Sequence, residues 1–108
     1  MPFDEALAAR VRESLSAHDV DEKRMFGGVA FLLRGNMCAG VIRDDLIVRT
    51  FPEDAADALD EPHVREFDLT GRPMTGWLLV GPGGTADDEG LRAWVERGVA
   101  VAASLPPK

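Results

Sequence analysis

Cysteine and histidine are scarce in this chain, which has one cysteine and two histidines among 108 residues. A single cysteine cannot form an internal disulfide, and one thiol with two histidines at unrelated positions does not match the spacing of zinc ligands. We therefore expect no metal site and no cofactor. Cys38 lies in an apolar stretch, where a free thiol behaves as a small hydrophobic side chain rather than as a nucleophile.

Long hydrophobic runs are also missing. No apolar stretch approaches the ~18 residues that a membrane-spanning helix needs, and the acidic start MPFDEALAAR lacks the hydrophobic region of a secretory signal. With 45% hydrophobic and 29% charged residues, the composition is that of an ordinary globular chain. We expect a cytoplasmic protein that folds as a single domain over residues 1–108 and does not bind membranes.

Positive charge is limited and unevenly placed. The net charge is −7, of which residues 52–70 carry −6, whereas residues 24–51 carry +2. Nucleic-acid-binding proteins usually present a basic patch, because the release of counterions drives their affinity. We therefore expect no direct binding of nucleic acid by this chain alone.

Apolar and β-branched residues are concentrated in residues 24–50, which predict three antiparallel strands joined by two tight turns. Gly35-Asn36 supplies the positive φ angles that a two-residue hairpin loop needs, and Asp44-Asp45 turns the chain again. Because the first strand is apolar on both faces, the second face of the sheet is not expected to meet open water. Either the rest of the chain or a partner covers it.

Helical signals flank these strands. Apolar residues at four-residue intervals predict an amphipathic helix over residues 3–17, and the polar residues 18–23 are predicted to link it to the first strand. Thr50 and Pro52 have the pattern of a helix start, which predicts a short helix running to about Asp60.

Two more strands and a last helix complete the prediction. Residues 64–68 and 77–80 predict strands four and five, separated by turn-forming residues. Thr85 and Asp88 have the spacing of a capping box for the last helix, which Pro106 ends. The predicted element order is therefore α-β-β-β-α-β-β-α.

This order, with RMFGGVAF after an N-terminal helix and GRPMTGWLLV before a C-terminal one, resembles the N-terminal domain of the TfoX (Sxy) family. The most specific part is Met25-Phe26-Gly27-Gly28 before an apolar strand, followed by a second strand through Met37. The resemblance covers almost the whole chain, which we expect to be a stand-alone domain.

The resemblance implies an α+β fold in two layers, with helices on an antiparallel sheet, similar to secretion-chaperone-like folds. It also implies a non-enzymatic interaction or regulatory role. Longer family members regulate natural competence, act with the cyclic-AMP receptor protein at promoters and carry a further C-terminal domain. No catalytic residue is implied, and we expect a protein partner or a homodimer.

Two candidate sites follow. One is a contact surface, used for self-association through residues 24–34 or 36–43, although core packing would explain the same apolar side chains. Its candidate residues are Arg24, Met25, Phe26, Gly27, Gly28, Met37, Met74 and Trp77. The alternative is a small-molecule or anion site, or an enzyme, that uses Arg72 and the turn Gly81-Pro82-Gly83-Gly84-Thr85. A plain connection with a helix cap is the simpler explanation of that turn, and a solvated loop charge is the simpler explanation of Arg72.

Overall fold

The computed structural model describes residues 3–25, 27–67 and 75–107, in which three α-helices pack on a six-stranded antiparallel sheet. In chain order the elements are α1 (Glu5–Ser14), β1 (Val20–Met25), β2 (Gly28–Leu33), β3 (Asn36–Ile42), β4 (Asp45–Arg49), α2 (Ala55–Leu59), β5 (Val64–Glu66), β6 (Trp77–Val80) and α3 (Asp88–Ser104). The strand order across the sheet is β1-β2-β3-β4-β6-β5. The predicted α+β class is confirmed.

The predicted linker at residues 18–23 is wrong, because Val20–Met25 forms the edge strand β1. This strand pairs along its whole length with β2, from Val20 opposite Leu33 to Met25 opposite Gly28. Its four middle residues are consecutive charges, and all four are exposed. An edge strand with mainly exposed side chains lacks the apolar alternation that marks a strand in sequence. Four strands, rather than three, therefore precede α2.

The two tight turns lie one residue earlier than predicted. In the turn between β2 and β3 the positive φ angles belong to Arg34 (51°) and Gly35 (86°), whereas Asn36 already begins β3. In the turn between β3 and β4 the positive φ angle belongs to Arg43 (53°), and Asp45 begins β4. The hairpins are thus confirmed, with a different loop residue in each.

The helix starts differ from the predicted capping pattern. A 3-10 helix, Pro52–Asp54, precedes α2, and no side chain hydrogen-bonds to its N-terminus. In α3 the capping residue is Asp87, whose carboxylate accepts a hydrogen bond of 3.2 Å from the N–H of Gly90. The predicted capping box of Thr85 and Asp88 is therefore wrong.

The main core lies between the helices and one face of the sheet. α3 packs across β3 and β4, and α1 packs against α3. α3 lies close to the sheet at Gly98, where a Cβ atom would collide with the backbone carbonyl of Cys38. The largest fully buried side chains of this core include Leu15, Phe31, Leu46, Leu78, Leu91 and Val95.

Candidate interaction site

The face of the sheet opposite the helices carries a small apolar cluster. Its buried members come from β3, β4, β6 and the residue after β5, and two half-buried side chains pack against them. We call these six residues the second-face cluster: Met37, Ile42, Ile47, Phe67, Trp77 and Leu79.

Strand register brings these side chains together. Ile47 of β4 lies between Gly40 of β3 and Leu79 of β6, and the side chains of Ile47 and Leu79 point away from the helices. At Gly40 a Cβ atom would approach the terminal methyl of Met37 to 2.6 Å. The glycine therefore leaves room for the methionine side chain to lie over the sheet.

Arginine side chains border the second-face cluster. The guanidinium carbon of Arg49 lies 4.8 Å from the ring centroid of Trp77. Arg65 Nη2 lies 2.8 Å from Asp45 Oδ2, and Arg43 Nη2 lies 3.9 Å from the same oxygen. Asp45 is only 4% exposed, and a buried carboxylate needs a partner because an unpaired buried charge is costly. The ion pair therefore holds Arg65 at the border of the cluster.

The structure assembles only part of the predicted contact surface. Met37 and Trp77 meet in the second-face cluster, and Met25 lies half-buried on the same face, at the β1 edge. Arg24 faces the helices instead, with its guanidinium carbon 5.1 Å from the ring centroid of Phe3. Three candidate residues lie outside the part of the chain that the structure describes: Phe26, Arg72 and Met74.

Gly27 and Gly28 have backbone roles. Gly27 has a φ angle of 78° in the turn between β1 and β2, a conformation that other residues rarely adopt. Gly28 is buried at the start of β2, and a Cβ atom there would collide with the carbonyl oxygen of Val41. Turn geometry and close packing account for both glycines.

Several residues of this face were missed by sequence reasoning, above all Asp45, Arg49 and Arg65. For β4 a signal was present, because alternate residues of a strand share a face and Asp45, Ile47 and Arg49 therefore point the same way. For Arg65 there was none, because its position depends on the long-range pairing of β5 with β6.

The glycine-rich turn after β6, which the sequence offers as an alternative anion site, does not lead directly into the N-terminus of an α-helix. A 3-10 helix, Pro82–Gly84, and the buried Thr85 separate β6 from α3. The N-terminus of α3 already carries the carboxylates of Asp87, Asp88 and Glu89, which complement the helix dipole and repel an anion. This turn therefore gives the small-molecule alternative no support.

Cys38 is a buried residue of the main core. Its thiol donates a hydrogen bond of 3.4 Å to the carbonyl oxygen of Phe31, and burial raises the pKa of the thiol to about 11. The reactive thiolate is therefore scarce at neutral pH. Within residues 3–25, 27–67 and 75–107, no group of three or more potential metal ligands comes together.

No helix of the described residues is long and apolar enough to cross a membrane.

Comparisons with known proteins give one assignment. No curated protein matches the sequence. The TfoX N-terminal domain, by contrast, matches residues 7–102, which include every helix and strand except the first residues of α1 and the last of α3. The chain therefore belongs to the TfoX N-terminal domain family.

Proposed function

We propose that this domain is a non-enzymatic interaction module whose contact surface is the second-face cluster, and that a second copy of the chain binds there. The observation that supports this proposal is the partial exposure of Met37 and Trp77, whose side chains are only half-buried on this face of the sheet. The guanidinium of Arg49 lies over the tryptophan ring. Methionine, tryptophan and arginine are enriched in protein interfaces, and tryptophan and arginine in their energetic centres. A closed two-fold dimer is the commonest arrangement for such a surface.

The regulatory setting is part of the same proposal. The family supports a regulatory or interaction role, and we infer that the module acts on transcription through a protein partner. Direct contact with DNA is disfavoured because the net charge is −7. The free thiol of Cys38 suits a reducing compartment such as the cytoplasm.

The oligomeric state tests the proposal. Sedimentation velocity of the wild-type chain should give twice the monomer mass of 11.7 kDa. Met37→Glu should shift the protein towards monomer, because it places a charge in an apolar contact. Ala103→Glu, at an exposed position of α3 on the other side of the sheet, is the matched control and should leave the dimer intact.

Three results would change the proposal. If the wild-type chain stays monomeric at high concentration, Met37 and Trp77 are part of the protein's own packing and not of a dimer interface. A dimer that Met37→Glu leaves intact would place the interface elsewhere. A monomer that binds a purified transcription factor, and loses it with Met37→Glu, would replace the second copy with a different partner on the same face.

A further inference from the structure

A groove of about 380 Å³ lies between α2 and α3, on the helix side of the sheet. This volume is in the range of ligand pockets, ~300–1,000 Å³. Its lining combines the apolar side chains of Phe51 and Ala58 with four charged residues, Asp54, Asp57, Glu61 and Arg97. The groove is thus both apolar and charged.

The charges of the groove are only partly compensated. Arg97 Nη1 lies 2.9 Å from Glu61 Oε2, and the guanidinium carbon of Arg97 lies 4.3 Å from the ring centroid of Trp94. Arg97 is therefore fixed from two sides and neutralises Glu61. Among the described residues, Asp54 and Asp57 form no ion pair with a basic side chain. The groove is therefore lined by two carboxylates that no ion pair among the described residues neutralises.

The groove also lies in the most acidic segment of the chain. Residues 52–61 contain five carboxylates and no basic residue, whereas the net charge of the whole chain is −7. Clustered like charges with low-dielectric walls attract counter-charged groups and repel groups of their own sign. The field around the groove therefore favours a cation and disfavours phosphate, nucleic acid and acidic peptides.

We propose that this groove docks a lysine or arginine side chain of a partner protein. Such a side chain has an apolar stem and a charged end. The stem would pack on Phe51 and Ala58, while the charged end would pair with Asp54 and Asp57. The ring of Phe51 adds a cation–π contact if the charge lies over it. The groove and the second-face cluster lie on opposite sides of the sheet, so a partner can occupy one while a second copy occupies the other.

A titration followed by amide chemical shifts tests this site directly. The probe is a short alanine-based peptide that carries lysine and arginine, and its counterpart has glutamate at the same positions. Only the basic peptide should shift the amide signals of Phe51, Asp54, Asp57 and Arg97. Spermidine provides a third arm, since it carries the charge without a peptide backbone.

Matched variants separate the groove from the overall charge of α2. The double variant Asp54→Asn/Asp57→Asn should weaken peptide binding at least about fivefold, because it removes two exposed ion pairs. The double variant Glu53→Gln/Asp60→Asn removes the same charge beside the groove, at residues that do not line it, and should weaken binding less than about twofold. All four positions are exposed, so neither variant should disturb folding.

Three outcomes would overturn the proposal. Equal losses in the two variants would show general attraction to an acidic surface. If the basic peptide shifted only amide signals outside the groove, or shifted no amide signals, the groove would not be the binding site. Saturation by spermidine at lower concentration than by the peptide would make the groove a site for small cations.

Discussion

At the scale of single residues, close backbone contacts decide which substitutions the domain tolerates. We predict that Gly28→Val lowers the free energy of unfolding by more than about 1 kcal/mol, although valine has the higher strand propensity. The reason is the carbonyl oxygen of Val41, which occupies the space of a Cβ atom. Chemical denaturation measures the change.

Gly27→Asn is the control for this substitution. Nothing lies within 4 Å of a Cβ atom at Gly27, and asparagine tolerates the positive φ angle better than most residues. Gly27→Asn should therefore lower the free energy of unfolding by less than Gly28→Val does. A Gly28→Val protein that melts at or above the wild-type temperature would show that β2 and β3 move apart freely.

The ion pair of Arg12 and Glu22 makes stability depend on pH. Arg12 Nη2 donates a hydrogen bond of 2.7 Å to Glu22 Oε1, which lowers the pKa of Glu22 from its usual 4.5. Folding therefore favours the charged carboxylate. Its contribution is complete above pH 4.5 and is lost as the pH falls through the lower pKa of the folded state.

We predict that Glu22→Gln lowers the free energy of unfolding at pH 7 by less than about 1 kcal/mol, because both side chains of the pair are partly exposed to solvent. The difference from wild type should disappear as the pH falls through the lowered pKa of Glu22 in the folded state. Glu13→Gln, at an exposed position of α1, is the control for the loss of one carboxylate from the surface. A Glu22→Gln difference that persists in acid would assign the effect to packing rather than to charge.

At the scale of elements, the position of α3 on the sheet depends on Gly98. We predict that Gly98→Ala lowers the free energy of unfolding by more than about 1 kcal/mol, because the added methyl meets the backbone carbonyl of Cys38. Helix propensity alone predicts the opposite, because alanine in place of glycine raises the free energy of unfolding by about 1 kcal/mol in a helix. Ala93→Gly at an exposed position of α3 measures that propensity separately. A more stable Gly98→Ala protein would show that α3 shifts away from β3 at little cost.

The same elements show what the sequence could and could not predict. Both helices at the chain ends were predictable, because burial imposes a period on their apolar residues. β2, β3 and β4 were predictable because apolar and β-branched residues are concentrated there. β1 was not, since Asp21, Glu22, Lys23 and Arg24 give no apolar signal. The cap of α3 was misplaced because Asp87 and Thr85 both have suitable side chains, and only the backbone path selects one.

The candidate site could be predicted only in part from the sequence, because it depends on the pairing of strands that are distant in the chain. The sequence indicated Met37 and Trp77 as apolar candidates, but their meeting depends on the order β3-β4-β6. The strand β1, which was not predicted, pairs Arg24 with Val29 and so places it on the helix side of the sheet, away from Met37 and Trp77. The groove between α2 and α3 joins residues about 40 positions apart, and no local pattern predicts such a contact.

At the scale of the whole molecule, acid is concentrated on the α2 side. We predict no measurable gel shift of duplex DNA by the isolated domain at physiological salt, because residues 52–61 carry five acids without a base. The same assay with Asp54→Asn/Asp57→Asn controls for repulsion by the groove, and it should also show no shift. Micromolar binding with a steep dependence on salt would contradict this prediction.

The exposed edge strand β1 has a consequence for how the domain assembles. Two copies that join β1 to β1 in one continuous sheet are related by a two-fold axis perpendicular to the sheet, so one residue must face its own copy. In every register centred on Asp21, Glu22, Lys23 or Arg24, that residue is charged, and like charges directly opposite each other destabilise a strand pair. In these registers the pairing of two copies through β1 is therefore disfavoured, which leaves the faces of the domain, rather than this edge, for a symmetric contact with a second copy.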